Sequence, residues 1–330
     1  MRAETRQYLD YDDDMDRPMR PVARKKPSQT SAERLADPEV GAEGAFNPSF
    51  SSSKHERAWI LSYLTRFYDD HIITDVLHQV KGGKEATVYC CAAHPSTGVD
   101  LIAAKVYRPR EFRQLRNDAQ YRQGRRILSD EGKRVKDDRT LRAVAKGTVF
   151  GKHAAHISWL AHEYETLQLL HAAGADVPRP WAIGENAILM EYLGDEGLPA
   201  PTLHETRLDR RAARRVFDRL MVNADLMLRH GRVHGDLSAF NVLYWEGEGT
   251  IIDFPQAVDV VTNGDARALF ERDVLRLGQY FERYDVRVDA RALARDLWQR
   301  YQAEDDFEAM NLLAMEEDSA GGSGTLAGCT

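Results

Sequence analysis

The stretch VHGDLSAFNVLYWEGEGTIIDFPQ, Val233 to Gln256, sets two carboxylates and an amide at the ends of short apolar runs. Two of those runs, Val242–Trp245 and Thr250–Ile252, flank Glu-Gly-Glu-Gly, the composition of a β-hairpin turn. An antiparallel hairpin returns its ends to one place, so the reading puts Asn241 beside Asp253. An amide oxygen next to a carboxylate is a hard ligand pair of the kind Mg²⁺ takes, together with water and substrate phosphates. Asp236 stands five positions before Asn241, on the loop entering the hairpin. It is placed to orient or deprotonate an incoming hydroxyl. A base Asp, a metal-binding Asn and a metal-binding Asp form the layout used for phosphoryl transfer.

The spacing agrees with H-x-D-L-x-x-x-N followed by an Asp in the D-F-G position, here Asp-Phe-Pro. Upstream partners fall in the required order. The turn KGGKEATVY brings Gly83 and Lys84 to the phosphates, and Lys105 in the strand AAKVY is placed to hold them. Glu163, in the helix AHEYETL, borders the apolar face set by Leu160, Tyr164 and Leu167 better than Glu165 does, and is read as the partner of Lys105. The segment LMEYLG, with Met190, Glu191 and Leu193, fits a hinge whose backbone binds adenine.

These motifs resemble the RIO family of atypical serine/threonine protein kinases, in its bacterial form, over about residues 80–285: GKEATVY, AAKVY, HEYETLQLL, MEYLG, VHGDLSAFNVLY and IIDFPQ. The resemblance implies an α+β, two-lobed protein-kinase-like fold. Its small N-lobe is β-rich, its C-lobe helical, and its activation and substrate-binding segments are reduced. It implies ATP with Mg²⁺, or Mn²⁺ in its place, and transfer to Ser/Thr, including autophosphorylation. It further implies that Asp253 accepts the γ-phosphoryl group as an acyl phosphate, giving ATPase activity. Lys81 and Gly82 stand where the family often has a hydroxyl residue in the phosphate loop, which leaves those contacts to backbone N–H groups, Lys84 or Lys81. DFPQ is similar to one subfamily and the upstream motifs to another, so no subfamily is assigned. About a dozen residues separate Asp253 from a new helix near Ala266, without an A-P-E motif.

The 330 residues, 43% hydrophobic, suffice for a sizeable core, and the net charge of −7 argues against a generic polyanion binder. Three cysteines, two of them adjacent (Cys90, Cys91), make neither a disulfide framework nor a zinc set. With no apolar leader and no run of ~18 apolar residues, a cytoplasmic protein without membrane contact is expected. The expected organisation is a disordered charged tail (1–53), an N-lobe with an N-terminal helix (54–190), a C-lobe (191–316) and a flexible tail (317–330). A basic insertion occupies 108–152, before a helix beginning near Ser158.

Clustered arginines in that insertion fit either a solvated face or contact with RNA or a ribosomal precursor. Arg210, Arg211, Arg214, Arg215 and Arg219 read as the wet face of an amphipathic helix. His234 reads as a brace for the loop, and His153, His156 and His162 as ordinary loop and helix residues. Two other classes compete: a small-molecule kinase of the aminoglycoside-phosphotransferase type, which shares H-G-D-x-x-x-x-N, and an ATP-gated ribosome-assembly factor with little kinase activity. The protein substrate, named only as unknown, is not legible from the sequence.

Overall fold

The computed structural model describes residues 46–83, 85–108, 127–128, 135 and 137–321, with the backbone alone at 306 and from 308 onward. The chain opens with helix α1 (Lys54–Asp69), whose first turn is capped by Ser53 Oγ accepting from Glu56 N–H. Strands β1 (Ile73–Gly82), β2 (Ala86–Ala93) and β3 (Leu101–Tyr107) follow. Next come helices α2 (Asp138–Ala145) and α3 (Val149–Ala172), then strands β4 (Pro180–Ile183) and β5 (Ala187–Glu191). The five strands form one antiparallel sheet in the order β1-β2-β3-β5-β4. One face of the sheet packs on α1, where Ile60, Leu64, Phe67, Val76, Tyr89 and Ile102 make a core, and the central strands β3 and β5 also bury residues of the other face against α3.

Residues 46–53, which composition assigns to the tail, are held against this core. Phe46 is buried and packs on Tyr68, Phe50 N–H donates to Val76 O at 3.0 Å, and Ser49 N–H donates to Asp75 Oδ1 at 2.8 Å. Two aromatic side chains anchor a stretch otherwise poor in apolar residues. The rest of the tail, 1–45, lies outside the described residues.

The helical half begins after two short strands, β6 (Gly194–Asp195) and β7 (Leu198–Pro199). Helix α4 (Arg210–Arg229) is capped by Asp209 at its start and followed by Gly231 in the left-handed region. Then come β8 (Arg232–Val233), the hairpin β9 (Val242–Trp245) and β10 (Glu248–Ile251), β11 (Val258–Asp259), and helices α5 (Ala266–Glu282) and α6 (Ala290–Gly321). Phe217, Leu220, Val242, Ile251, Phe254 and Phe281 are among the residues of its core. The arginine stripe of α4 faces solvent: Arg210 pairs with Asp285, Arg214 with Asp218 and Arg219 with Asp176.

Two boundaries differ from the sequence reading. Helix α3 begins at Val149, nine residues before Ser158, and α2 precedes it inside the segment read as an insertion. Gly151 looks like a helix breaker in sequence. In the fold it lets α2 pack on α3, because a Cβ there would lie 2.0 Å from Ala143 O. Most of the basic segment, including 109–126 and 129–134, lies outside the described residues. Helix α6 reaches Gly321, past the expected start of a flexible tail at 317, and residues 322–330 lie outside the description. Among the described residues no helix is long and apolar enough to cross a membrane.

Candidate active site

The β9–β10 hairpin turns on two residues, Glu246 (φ 49°) and Gly247 (φ 93°), and not on the full Glu-Gly-Glu-Gly. Positive φ at both central positions is the type I′ geometry that matches strand twist. The ladder pairs Val242 with Ile251, and Ile252 N–H then donates to Asn241 O at 3.0 Å. Asn241 therefore faces Ile252, and Asp253 sits one residue further on. Asp253 adopts φ 74°, a left-handed conformation that Asp tolerates better than most residues. Phe254, next in line, is buried with its ring tilted on that of His234 at 4.8 Å.

Lys105 comes to the same place from the middle of the sheet, opposite Val88 on one side and Ile188 on the other. Its Nζ lies 2.6 Å from Glu163 Oε1 and 2.6 Å from Asp253 Oδ1. Glu163 is the inward residue of α3, with a side chain 4% exposed. Burial would strip the Lys105 proton, but the carboxylates of Asp253 and Glu163 outweigh it and hold the ammonium well above the usual lysine range. The position of Asp253 in the cleft would raise its carboxyl, yet Lys105 above all, with His234 and Lys81 further off, keeps it below the usual range. Lys81 stands near the end of β1, opposite Val88 of β2. Gly83 N–H closes the loop between these strands onto Ala86 O at 2.9 Å, whereas Lys84 lies outside the described residues.

The loop around Asp236 is fixed from several sides. His234 is buried, its Nδ1 accepts from Asp236 N–H at 3.2 Å, and its Nε2 faces Ile252 O at 3.1 Å. One nitrogen accepts and the other donates, so the ring is neutral, and burial lowers its pKa further. The histidine braces the loop. Asn241 Nδ2 donates to Asp236 O at 2.9 Å and to Asp236 Oδ2 at 3.3 Å. With its nitrogen engaged in this way, its oxygen is left for another partner.

Three residues that sequence reasoning missed come from α5. Asp273 Oδ2 accepts from Gly235 N–H at 2.8 Å, Arg272 Nη2 donates to Gly235 O, and Arg276 Nη1 contacts Asp236 Oδ1 at 2.7 Å. Asp273 is 2% exposed, and burial pushes its carboxyl up to about 7. A signal for it was present: it stands within the apolar stripe Leu269, Phe270, Val274 and Leu277, where an Asp needs a partner. A fourth missed residue is Tyr107, whose hydroxyl donates to Glu163 Oε2.

In the segment read as a hinge, Met190 pairs with Ala103 near the end of β5. The carboxylate of Glu191 accepts from Arg179 N–H at 3.0 Å. Leu193 O accepts from Ala200 N–H at 2.9 Å. Two of the other histidines make tertiary contacts, His156 with Asn186 Oδ1 at 2.7 Å and His162 with Ala257 O at 3.1 Å.

A five-stranded sheet carrying the lysine, a helix carrying its glutamate, and a helical half presenting Asp236, Asn241 and Asp253 together define the protein-kinase-like class. A family profile described as the RIO domain matches residues 88–293, more than half of the chain, and the chain belongs to the RIO domain family. It is 31% identical over 245 residues to "Serine/threonine-protein kinase RIO1" of Chaetomium thermophilum, covering 70% of this chain and 43% of that protein. It is 29% identical over 131 residues to "RIO-type serine/threonine-protein kinase Rio1" of Thermoplasma acidophilum, covering 40% of this chain and 67% of the relative. A third relative, "Serine/threonine-protein kinase rio2" of Schizosaccharomyces pombe, is 34% identical over 122 residues, 37% of this chain and 33% of its own length. The chain thus spans less than half the length of the Chaetomium relative, and its relatives carry both RIO1 and RIO2 names.

Proposed function

We propose that this chain is an ATP- and Mg²⁺-dependent protein serine/threonine kinase of the RIO type, which also phosphorylates itself and turns over ATP through an aspartyl phosphate on Asp253. The observation that carries this reading is the position of Lys105 Nζ, 2.6 Å from a carboxylate of each half of the molecule. A cation so placed binds phosphate oxygens with its geometry already set.

The donor set fits a hard divalent ion: the Asn241 oxygen and the Asp253 oxygen that Lys105 leaves unused are an amide and a carboxylate, with phosphates and water to complete the shell. When bound, Mg²⁺ or Mn²⁺ supplies neutralisation of the β- and γ-phosphate oxygens. In transfer to Ser/Thr, Asp236 takes the proton as the acceptor oxygen bonds to the γ-phosphorus and the bond to the bridging oxygen breaks, releasing ADP. In the self-directed route a carboxylate oxygen of Asp253 bonds to the γ-phosphorus as the bond to the bridging oxygen breaks and ADP leaves, and water later cleaves the acyl phosphate to inorganic phosphate and the free carboxylate. Gly83, Lys84, Lys105 and Glu163 serve the phosphates, and the backbone of Met190, Glu191 and Leu193 serves the base.

Labelled ATP with Mg²⁺ tests the assignment. Asp236→Ala should abolish transfer while retaining nucleotide binding, and Lys105→Ala should weaken binding itself. Hydroxylamine should release label from Asp253 but not from phosphoserine. Wild-type turnover by Asp236→Ala would overturn the reading.

For partners, we propose an unidentified protein substrate and, at the basic segment 108–152, an RNA or ribosomal-precursor backbone recognised through its phosphates. Binding that does not fall with rising salt would sink the RNA assignment. The free, buried thiols of Cys90 and Cys91 support a reducing, cytoplasmic setting.

A further inference from the structure

A buried carboxylate needs donors for both of its oxygens. In Glu163, Lys105 serves Oε1 at 2.6 Å, and the Tyr107 hydroxyl serves Oε2. The two donors stand two residues apart in β3, so both side chains leave the same face of the strand and descend on α3.

Tyr107 is itself held firmly. It is 1% exposed, its ring meets Trp159 of α3 edge-on at 5.0 Å, and Lys105 Nζ lies 5.2 Å from its centroid. Its N–H donates to Asn186 O at 2.9 Å, and its C=O accepts from Asn186 Nδ2. Asn186 Oδ1 in turn meets His156 of α3 at 2.7 Å. Helix α3 is therefore tied to this residue twice, through Glu163 and through His156. Burial, with the Glu163 charge adding to it, holds the phenol well above its usual range, so it is a donor at every working pH.

We propose that Tyr107 is a positioning residue of the nucleotide site: its hydroxyl fixes the second oxygen of Glu163, so that the first is presented to Lys105 and the ammonium is aimed at the phosphates. This rests on the phosphotransfer reading above. Without the hydroxyl, a buried oxygen loses its donor, and the carboxylate turns or takes up a proton. Either change withdraws counter-charge from Lys105. Asp236 sits on the other half of the molecule and keeps its partners, so nucleotide affinity suffers and the chemical step does not.

The test is Tyr107→Phe, which keeps the ring against Trp159. Titration with Mg²⁺ and a non-hydrolysable ATP analogue, adenylyl imidodiphosphate, should show a Kd raised roughly tenfold, the loss expected for one hydrogen bond to a charged group. The KM for ATP should rise in step, while kcat at saturating ATP stays within about twofold. In a Glu163→Gln background the same change should add nothing, since Tyr107 acts through that carboxylate. An unchanged Kd, a kcat that falls in proportion, or effects that multiply with Glu163→Gln would each overturn the inference. Lys105→Ala separates the two levels. If it binds the analogue as wild type does, the phosphotransfer reading fails; if it binds weakly while Tyr107→Phe is normal, only the role of Tyr107 fails.

Discussion

Replacing Asp273 by Asn should remove a pH dependence of stability that this one carboxyl builds into the fold. Its pKa is raised from 3.8 to about 7, chiefly by burial. The folded state therefore holds a proton that the unfolded chain has released, and the associated stability is fully present below about pH 4 and lost as pH rises through about 7. The whole displacement corresponds to about 4 kcal/mol, of which about 3 kcal/mol falls between pH 5 and pH 8. For a folded body of this size 1 kcal/mol moves Tm by about 2–4 °C. Wild type should thus lose roughly 6–12 °C relative to Asp273→Asn on going from pH 5 to pH 8. Asp273→Ala tests the contact separately: Gly235 N–H loses its acceptor at 2.8 Å, costing about 1–3 kcal/mol at any pH. Thermal melting of the three proteins across pH 5–8 is the assay. Melting curves for wild type and Asp273→Asn that stay parallel over that range would refute the argument.

Three further outcomes are expected. Arg276→Ala breaks a half-exposed pair, so stability should change by at most about 1 kcal/mol; the rate of transfer should fall several-fold, because Asp236 loses one of its two side-chain contacts, as a single-turnover measurement will show. Glu246→Asn creates Asn-Gly, the pair that type I′ turns favour, and should stabilise by about 0.5–1 kcal/mol, whereas Gly247→Ala at φ 93° should destabilise by about 1 kcal/mol in urea unfolding. Phe46→Ala should cost about 3 kcal/mol in the same experiment if residues 46–53 belong to the folded body.

What the sequence disclosed followed from periodicity and from spacing along the chain. The hairpin after Asn241 was legible because apolar runs flanked a glycine-rich turn, and Glu163 could be chosen over Glu165 because the stripe of α3 set its phase. The sequence reading took all of Glu-Gly-Glu-Gly as the turn, whereas only Glu246 and Gly247 turn, because Glu248 and Gly249 already pair with Trp245 and Tyr244. The early start of α3 was hidden because Gly151 reads locally as a breaker, and its use depends on a second helix lying against it. Arg276 carries no signal at all: an arginine on a helix surface looks the same whether it meets water or Asp236. Tyr107 and Asp273 were within reach of a stricter question, namely which polar atoms the predicted core would leave without a partner.

Lys105 has a further consequence because two acids claim it at once. Before any nucleotide arrives, this ammonium already cross-links Glu163 above the cleft to Asp253 below it, like a staple across a hinge. Phosphates entering the cleft would compete with Asp253 for the same cation, while the other Asp253 oxygen stays open to a metal ion, so opening this staple is the step that nucleotide entry has to drive.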